Sequence, residues 1–186
     1  VLDDDEQVRA TIRLVFDLFE RRRTLQGVLQ SLVAQEIRLP CRVISGLAKG
    51  ELEWHRPNRA TLSDMLHNPL YAGAYAYGRR RSQGCRGGRA TAETPVLIKG
   101  RLPAYISWET YERNLAQMAA NRAQWQGVVR GGSALLAGLV VCGRCGQRMV
   151  TQYPNSGRRK RYACIRLAID YGGPYCQSLS GAALDA

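Results

Sequence analysis

The chain has 186 residues, 45% of them hydrophobic and 23% charged, with a formal net charge of +12 at pH 7. This length can bury one medium hydrophobic core or two small ones, and we favour two. No run of about 18 apolar residues is present, which argues against a membrane-spanning helix. The acidic N-terminus is unlike a secretory signal peptide, so we expect a protein of the reducing cytoplasm with free thiols.

The positive charge is unevenly distributed along the chain. Residues 1–20 carry six acidic side chains against Arg9 and Arg13 and sum to −4, so the remaining residues sum to +16. Such a charge attracts polyanions, with nucleic acid as the leading partner and an anionic membrane surface as the second. The basic clusters lie in glycine-rich segments rather than along one amphipathic helix, which favours nucleic acid.

The first forty residues predict two helices. Acidic residues 3–6 suit the positive end of a helix dipole, arginines 21–23 suit its other end, and Thr24 can cap a second helix. The arginines can contact phosphate or simply form a solvated helix end. The apolar residues at helical spacing are Val8, Ile12, Val15, Phe16 and Phe19, and then Leu25, Val28, Leu29, Leu32 and Val33.

Residues 41–53 read as an irregular connection, and a third helix follows with Pro57 in its first turn and ends before Pro69. Its apolar stripe is narrow, so its polar side stays free. We expect the N-terminal end of this helix to enter the major groove of DNA; the alternative is an ordinary surface helix with scattered arginines. The expected DNA contacts here are Arg56, Asn58, Arg59 and Thr61.

The middle of the chain predicts a strand over residues 71–78, a second over 95–98, and a fourth helix capped by Ser107. Residues 127–134 read as a glycine-rich linker. The arginines here have few acidic neighbours, so we expect them to contact phosphates. They are Arg79, Arg80, Arg81 and Arg130.

Four cysteines near the C-terminus predict a metal site. Cys142 and Cys145 are two residues apart, so both thiolates can face one ion, and Cys164 and Cys176 complete a tetrahedral set. With beta-prone segments between them, the pattern indicates a zinc ribbon holding structural Zn²⁺. The alternative is four buried cysteines that act as small hydrophobic residues. Cys41 and Cys85, and likewise His55 and His67, are not expected to be ligands.

A turn within this ribbon carries a basic cluster. Residues 142–186 contain seven basic and two acidic side chains, or +5. Four thiolates around one Zn²⁺ leave about +3. The turn is a candidate contact for the DNA backbone, the alternative being a solvated hairpin tip. Its residues are Arg158, Arg159, Lys160 and Arg161.

Three motifs together resemble a known family, the C-terminal DNA-binding half of large serine recombinases such as phage integrases. Residues 4–19 resemble the start of its recombinase domain. Trp54 followed by residues 66–73 (LHNPLYAG) matches the family's W…LxNPxYxG signature, and residues 135–146 (LLAGLVVCGRCG) resemble the opening of its zinc-ribbon domain. The resemblance covers nearly the whole chain.

The resemblance implies an α+β fold: a mostly helical recombinase domain with a small sheet (residues 1–126), a linker (127–134) and a small β-rich zinc ribbon (135–186). It implies binding of double-stranded DNA at half of an attachment site, with other recombinase subunits as partners and no role at a membrane. The family's catalytic serine lies in a preceding domain. Ser31 and Ser45 have no such motif around them, so we expect no catalytic residue in this chain.

One stretch departs from the family pattern, because residues 165–171 (IRLAIDY) are unusually apolar and lengthen the approach to Cys176. Two other functions are alternatives. A self-contained zinc enzyme would need an open coordination position, which four thiolates close. A ribbon that binds RNA or protein, unrelated to recombination, would not need the B-form major groove.

Overall fold

The structure is a computed structural model that describes residues 2–77, 96–123, 132–154 and 159–185. We call residues 2–123 the helical part and residues 132–185 the ribbon part. The helical part contains α1 (Glu6–Arg22), α2 (Leu25–Ala34), β1 (Leu39–Arg42), β2 (Leu52–His55), α3 (Arg59–Leu66), a 3-10 helix (Pro69–Ala72), β3 (Tyr75–Tyr77), β4 (Val96–Ile98) and α4 (Trp108–Ala123). The ribbon part contains β5 (Val150–Gln152), β6 (Arg161–Cys164), α5 (Arg166–Tyr171), β7 (Gln177–Ser180) and α6 (Gly181–Leu184).

Helices α1 and α2 form as the sequence predicts. The Asp5 side chain caps α1 by accepting hydrogen bonds from the backbone N–H groups of Gln7 and Val8, at 2.7 and 3.2 Å. Arg23 ends the helix in the left-handed conformation, with φ of 60°. The Thr24 hydroxyl accepts a hydrogen bond from the Gly27 N–H at 3.1 Å and starts α2. The reversal between the two helices is therefore encoded locally, by one cap at each end of a single turn.

Residues 41–53 form the turn and the inner ends of a β-hairpin, which corrects the predicted irregular connection at its two ends. Strands β1 and β2 pair antiparallel, from Leu39 opposite His55 to Arg42 opposite Leu52. Hydrogen bonds from the Val43 N–H to the Glu51 carbonyl oxygen and from the Gly50 N–H to the Val43 carbonyl oxygen continue the hairpin. Two four-residue strands give too short an alternation to detect, and a proline is tolerated in β1 because a two-stranded sheet has only edge strands.

Helix α3 buries the predicted stripe of Leu62, Met65 and Leu66, but it begins at Arg59 with Asn58 as its cap. Pro57 therefore lies before the helix and not in its first turn. The predicted strand over residues 71–78 is also wrong at its start. Residues Pro69–Ala72 form a 3-10 helix, because the Asn68 side chain accepts a hydrogen bond from the Leu70 N–H at 3.2 Å.

Gly73 is the last residue of the LHNPLYAG signature, and its backbone conformation needs glycine. Its φ is +71°, and a Cβ placed there would lie 2.5 Å from the carbonyl oxygen of Leu102. That oxygen is held close because the backbone of Gly73 accepts a hydrogen bond from the Leu102 N–H at 3.0 Å. The glycine therefore allows the segment before α4 to pack against the end of the 3-10 helix.

The helical part has a single hydrophobic core in the described residues. Helix α4 begins as predicted, with the Ser107 hydroxyl accepting a hydrogen bond from the Thr110 N–H at 3.2 Å. It closes the core with Met118, and the Arg113 guanidinium joins it to Glu20 of α1 at 2.8 Å. The fully or nearly fully buried residues of this core are Val8, Ile12, Val15, Phe16, Leu18, Phe19, Val28, Leu29, Leu32, Leu39, Leu62, Met65, Leu66 and Met118.

The ribbon part is a three-stranded antiparallel sheet in the order β5-β6-β7. Strands β5 and β6 occupy the two predicted beta-prone segments, whereas β7 and α6 were not predicted. The ribbon has its own small buried cluster, which comprises Ala134, Cys142, Met149, Tyr162 and Cys164. Helix α5 lies outside the sheet and packs against α2 and α3 of the helical part. Among the described residues, no helix is both long and apolar enough to cross a membrane.

The Asp5 cap gives a prediction about stability. Asp5→Ala should lower the free energy of unfolding of the helical part by about 1 kcal/mol, because two N–H groups at the start of α1 lose their acceptor. Asp4→Ala is the matched control, since it removes the same charge from an exposed neighbour that makes no cap. Urea unfolding followed by helical circular dichroism measures both, and equal losses in the two variants would contradict the capping role.

A second prediction concerns acid stability. The Asp3 carboxylate accepts hydrogen bonds from Arg42 at 2.7 and 2.8 Å, and this pairing lowers the pKa of Asp3 to about 2 from 3.8. Because the folded pKa is depressed, the stabilisation is fully present above the unfolded pKa and disappears as the pH falls from about 4 to about 2. Wild type and Asp3→Asn should therefore differ in unfolding free energy at pH 5 and converge near pH 2. A difference that stays constant over this range would contradict the assignment.

Candidate functional site

The four predicted cysteines converge on one point. The sulfur atoms of Cys142, Cys145, Cys164 and Cys176 all lie within 4.8 Å of one another. Cys142 and Cys176 are separated by 3.6 Å, and Cys145 and Cys164 by 3.3 Å, from sulfur to sulfur. Residues from three separate places in the sequence are thus gathered into one sulfur cluster.

Local backbone geometry sets each ligand position. The Gly146 N–H donates to the Cys142 carbonyl oxygen at 2.8 Å, and Gly146 has a φ of +69° that suits glycine. This turn presents Cys142 and Cys145 on the same side. Cys164 is the last residue of β6, and the Cys176 N–H donates to its carbonyl oxygen at 3.1 Å. The sheet therefore brings the third and fourth cysteines together.

The cluster fits a tetrahedral metal ion. Metal–sulfur bonds of about 2.3 Å in a tetrahedron place the sulfurs about 3.8 Å apart, close to the separations found here. Cys142 and Cys164 are buried, while Cys145 and Cys176 are partly exposed. Four sulfur donors fill a tetrahedral shell, so the site has the form of a structural centre rather than a catalytic one.

The thiols of the cluster differ in how readily they ionise. Burial opposes ionisation of Cys142, but N–H groups of Cys145 and Arg144 and the adjacent thiols outweigh it and lower its pKa to about 6. Burial and the contact with Cys145 raise the pKa of Cys164 to about 12. The contact with Cys142, together with burial, raises the pKa of Cys176. Ionisation is thus favoured at Cys142 and opposed at Cys164 and Cys176, so a full set of thiolates requires a cation among them.

A buried polar network, which the sequence did not reveal, supports the ribbon. The Tyr162 hydroxyl donates to Asp185 at 2.7 Å and accepts from the Leu136 N–H at 3.0 Å. The Asp185 carboxylate, whose side chain is 1% exposed, also pairs with Lys160 Nζ at 2.7 Å. That hydrogen bond from Lys160 lowers the pKa of Asp185. The network ties the C-terminal residues to the start of the ribbon. Asp185 and Leu136 lie 23 and 26 residues from Tyr162, so no spacing signal marks the network.

The predicted nucleic-acid contacts of α3 have different environments. Arg59, the first residue of the helix, is exposed, and Thr61 is half-buried. The Asn58 side chain accepts a hydrogen bond from the Thr61 N–H at 2.8 Å, so its oxygen caps the helix. Arg56 is exposed but lies against the ribbon part, with its guanidinium carbon 5.2 Å from the centre of the Tyr171 ring.

The predicted contacts of the ribbon are also only partly available. Arg161, at the start of β6, and Arg159 are exposed. Lys160 is engaged by Asp185, and its side chain is 26% exposed. Five predicted contacts lie outside the described residues, namely Arg79, Arg80, Arg81, Arg130 and Arg158, as does most of the predicted linker.

Comparison with family models gives the class of the chain. Residues 6–121, more than half of the sequence, match the Recombinase family. Residues 135–186 match the recombinase zinc beta ribbon domain. The chain therefore belongs to the Recombinase family and carries that family's ribbon, as the sequence motifs predicted.

The chain also resembles individual proteins. The chain is 37% identical over 198 residues to the uncharacterized protein y4bA/y4pH of Sinorhizobium fredii, and it spans 28% of the length of that relative. A solved chain from work on the Listeria innocua prophage attP site has 19% identity and a TM-score of 0.43, covering 97% of this chain and 68% of its own. A chain from an LSR–DNA complex has 18% identity and a TM-score of 0.44, covering 97% and 51%.

The sulfur cluster predicts how the chain responds to loss of metal. Chelation should unfold residues from about 135 onward while α1, α2 and α4 persist, because a closed metal site supplies much of the folding free energy of a small ribbon. Circular dichroism with and without chelator should show most helical signal retained. One cooperative loss of all structure would contradict the division into two parts.

A further prediction concerns the fourth cysteine. The Cys176→Ser variant should lose most bound metal by elemental analysis, whereas Cys41→Ser, at an exposed cysteine of β1, should keep it.

Proposed function

We propose that this chain binds double-stranded DNA as the DNA-recognition part of a serine site-specific recombinase, at half of an attachment site. The observation that carries the proposal is the match of both recombinase family models, in order, on a chain whose residues after the first twenty carry +16. A charge of this size provides the phosphate attraction on which DNA binding depends.

The proposed base-reading element is the N-terminal end of α3. Arg59 is exposed at its first residue, where unpaired N–H groups of the helix also favour a phosphate. An arginine at this position can form two hydrogen bonds to a guanine edge in the major groove. Thr61 is the second candidate on this end. We assign Asn58 mainly to capping, because its oxygen is already occupied by the helix N–H.

The proposed backbone contact of the ribbon is the start of β6. Arg161 and Arg159 are exposed, and the sheet holds Arg161 three residues before the ligand Cys164. We propose Zn²⁺ as the ion, because four soft thiolates in a closed tetrahedral set select it over harder metals. Lys160 contributes to this surface only after it leaves Asp185. Arg79, Arg80, Arg81, Arg130 and Arg158 remain proposed phosphate contacts on sequence grounds.

We further propose that the chemistry of recombination belongs to a longer protein. This chain spans only 28% of its relative, and no serine motif of the kind the family uses was found in the sequence. In that protein, the catalytic serine would lie in another region, and other recombinase subunits would assemble on the same DNA in the cytoplasm. The coding sequence upstream of this stretch tests this directly, because a serine recombinase catalytic region should be present there.

DNA binding can be tested with a duplex that the chain itself enriches from a random pool. Affinity measured by fluorescence anisotropy should fall steeply as salt rises from about 50 to about 200 mM. Arg59→Ala should weaken binding by about 1–3 kcal/mol and relax sequence preference. Arg161→Ala should weaken binding to all duplexes and reduce the salt slope by about 1.

The matched control is Arg113→Ala, which removes one positive charge from a residue paired with Glu20. Its binding should change far less than that of the Arg59 variant. Binding too weak to measure at about 50 mM salt, or flat with salt, would overturn the proposal. Equal competition by single-stranded RNA would instead favour a general nucleic-acid or protein-interaction ribbon.

A further inference from the structure

The ribbon part contacts the helical part through α5, the helix between the third and fourth cysteines. The side-chain amide of Gln26, on α2, donates to the carbonyl oxygen of Ala168 at 2.7 Å. Ala168 itself is 5% exposed. The segment that departs from the family pattern therefore has a specific neighbour within the same chain.

Gly172 brings α5 into close contact with α2. It ends α5 with a φ of +66°, and a Cβ at this position would lie 3.0 Å from Leu29 Cγ and 3.3 Å from the Leu29 carbonyl carbon. Both the backbone conformation and the space require a residue without a side chain. A bulkier residue here would push α5 away from α2.

The same contact engages one of the predicted DNA-binding residues. Arg56 donates to the Tyr171 carbonyl oxygen at 3.4 Å and lies over the Tyr171 ring. That carbonyl belongs to the C-terminal turn of α5, whose unpaired oxygens favour a cation. A phosphate oxygen placed beside this guanidinium would face the same negative carbonyl.

The contact is small enough to open. Leu167, Ile169 and Tyr171 each keep more than a third of their surface exposed. Within the described ranges, no ion pair joins α5 to α2 or α3. Among the described residues, α5 is joined to the helical part by the hydrogen bonds of Gln26 and Arg56, the cation–π contact of Arg56 and the approach of Gly172, which suits a reversible contact better than a permanent one.

We propose that α5 is an intramolecular latch that holds the ribbon part on α2 and α3 in the DNA-free chain and must open for DNA to bind. This inference rests on the proposed function. A major groove about 12 Å wide admits a single helix of about 10–12 Å diameter. Helix α5 contacts α3 and so widens the element that would enter the groove, and Arg56, three residues before α3, is turned toward Tyr171. DNA and α5 therefore compete for Arg56 and for the space beside α3.

The latch can be opened from either side in the 186-residue chain. Gly172→Val removes the space at Leu29, and Gln26→Leu removes the hydrogen bond to Ala168 from the helical side. The control for the first is Gly138→Val, because Gly138 also has a positive φ but an added Cβ there would meet no atom within 4 Å. The control for the second is Gln30→Leu, at an exposed residue one turn further along α2. Metal content checks that each variant retains its ribbon.

Both latch variants should increase the radius of gyration measured by small-angle X-ray scattering. Both should also bind duplex DNA on the order of three- to tenfold more tightly, because binding no longer has to undock α5 first. The controls should do neither. An increased radius with unchanged or weaker binding would overturn the latch and make the docked form the binding form. An unchanged radius would also overturn it. If neither the wild type nor any variant binds DNA at any salt concentration, the proposed function fails. The radius of gyration of the latch variants, compared with the controls, still shows whether α5 docks on α2.

Discussion

The convergence of four sulfur atoms is the constraint on which the ribbon part depends. Its buried cluster has five members, and two of them, Cys142 and Cys164, belong to the sulfur cluster. So few apolar side chains cannot offset the conformational entropy of ordering about fifty residues. A cation shared by cysteines from three places in the sequence would supply the missing cross-link, much as metals do in other small domains.

That constraint also determines where the basic side chains of the ribbon lie. Strand β6 places Tyr162 in the interior and Cys164 at the metal site, so Arg161 at its start faces solvent. Asp185 then satisfies the Tyr162 hydroxyl and draws Lys160 inward. One strand thus serves the core, the metal site and the charged surface. This arrangement explains why neighbouring basic residues of one cluster differ in their availability to a polyanion.

The sequence predicted the features that depend on local chemistry. The cap at Thr24 is read from residue type and position, because side chains that accept backbone N–H groups act within three residues, whereas the acidic run at residues 3–6 marked the start of α1 without identifying Asp5 as its cap. The cysteine cluster was likewise readable from spacing. The β1–β2 hairpin was missed because its strands are short, and the start of α3 was misplaced because Asn58 caps the helix and leaves Pro57 before it rather than in its first turn. The network at Asp185 was invisible because its partners are distant in sequence.

The apolar stretch at residues 165–171 shows what sequence reasoning can and cannot supply at a contact between two parts of a chain. Its apolar composition departs from the family pattern, and loops of this kind are normally solvated. The sequence therefore marked the segment as unusual but gave no neighbour for it. Its neighbour proves to be α2, where Leu29 belongs to a core that was predicted for other reasons, and Gln26 satisfies a carbonyl of α5. Because Arg56 lies at the edge of this same contact, the availability of one predicted DNA contact depends on how the two parts of the chain are docked.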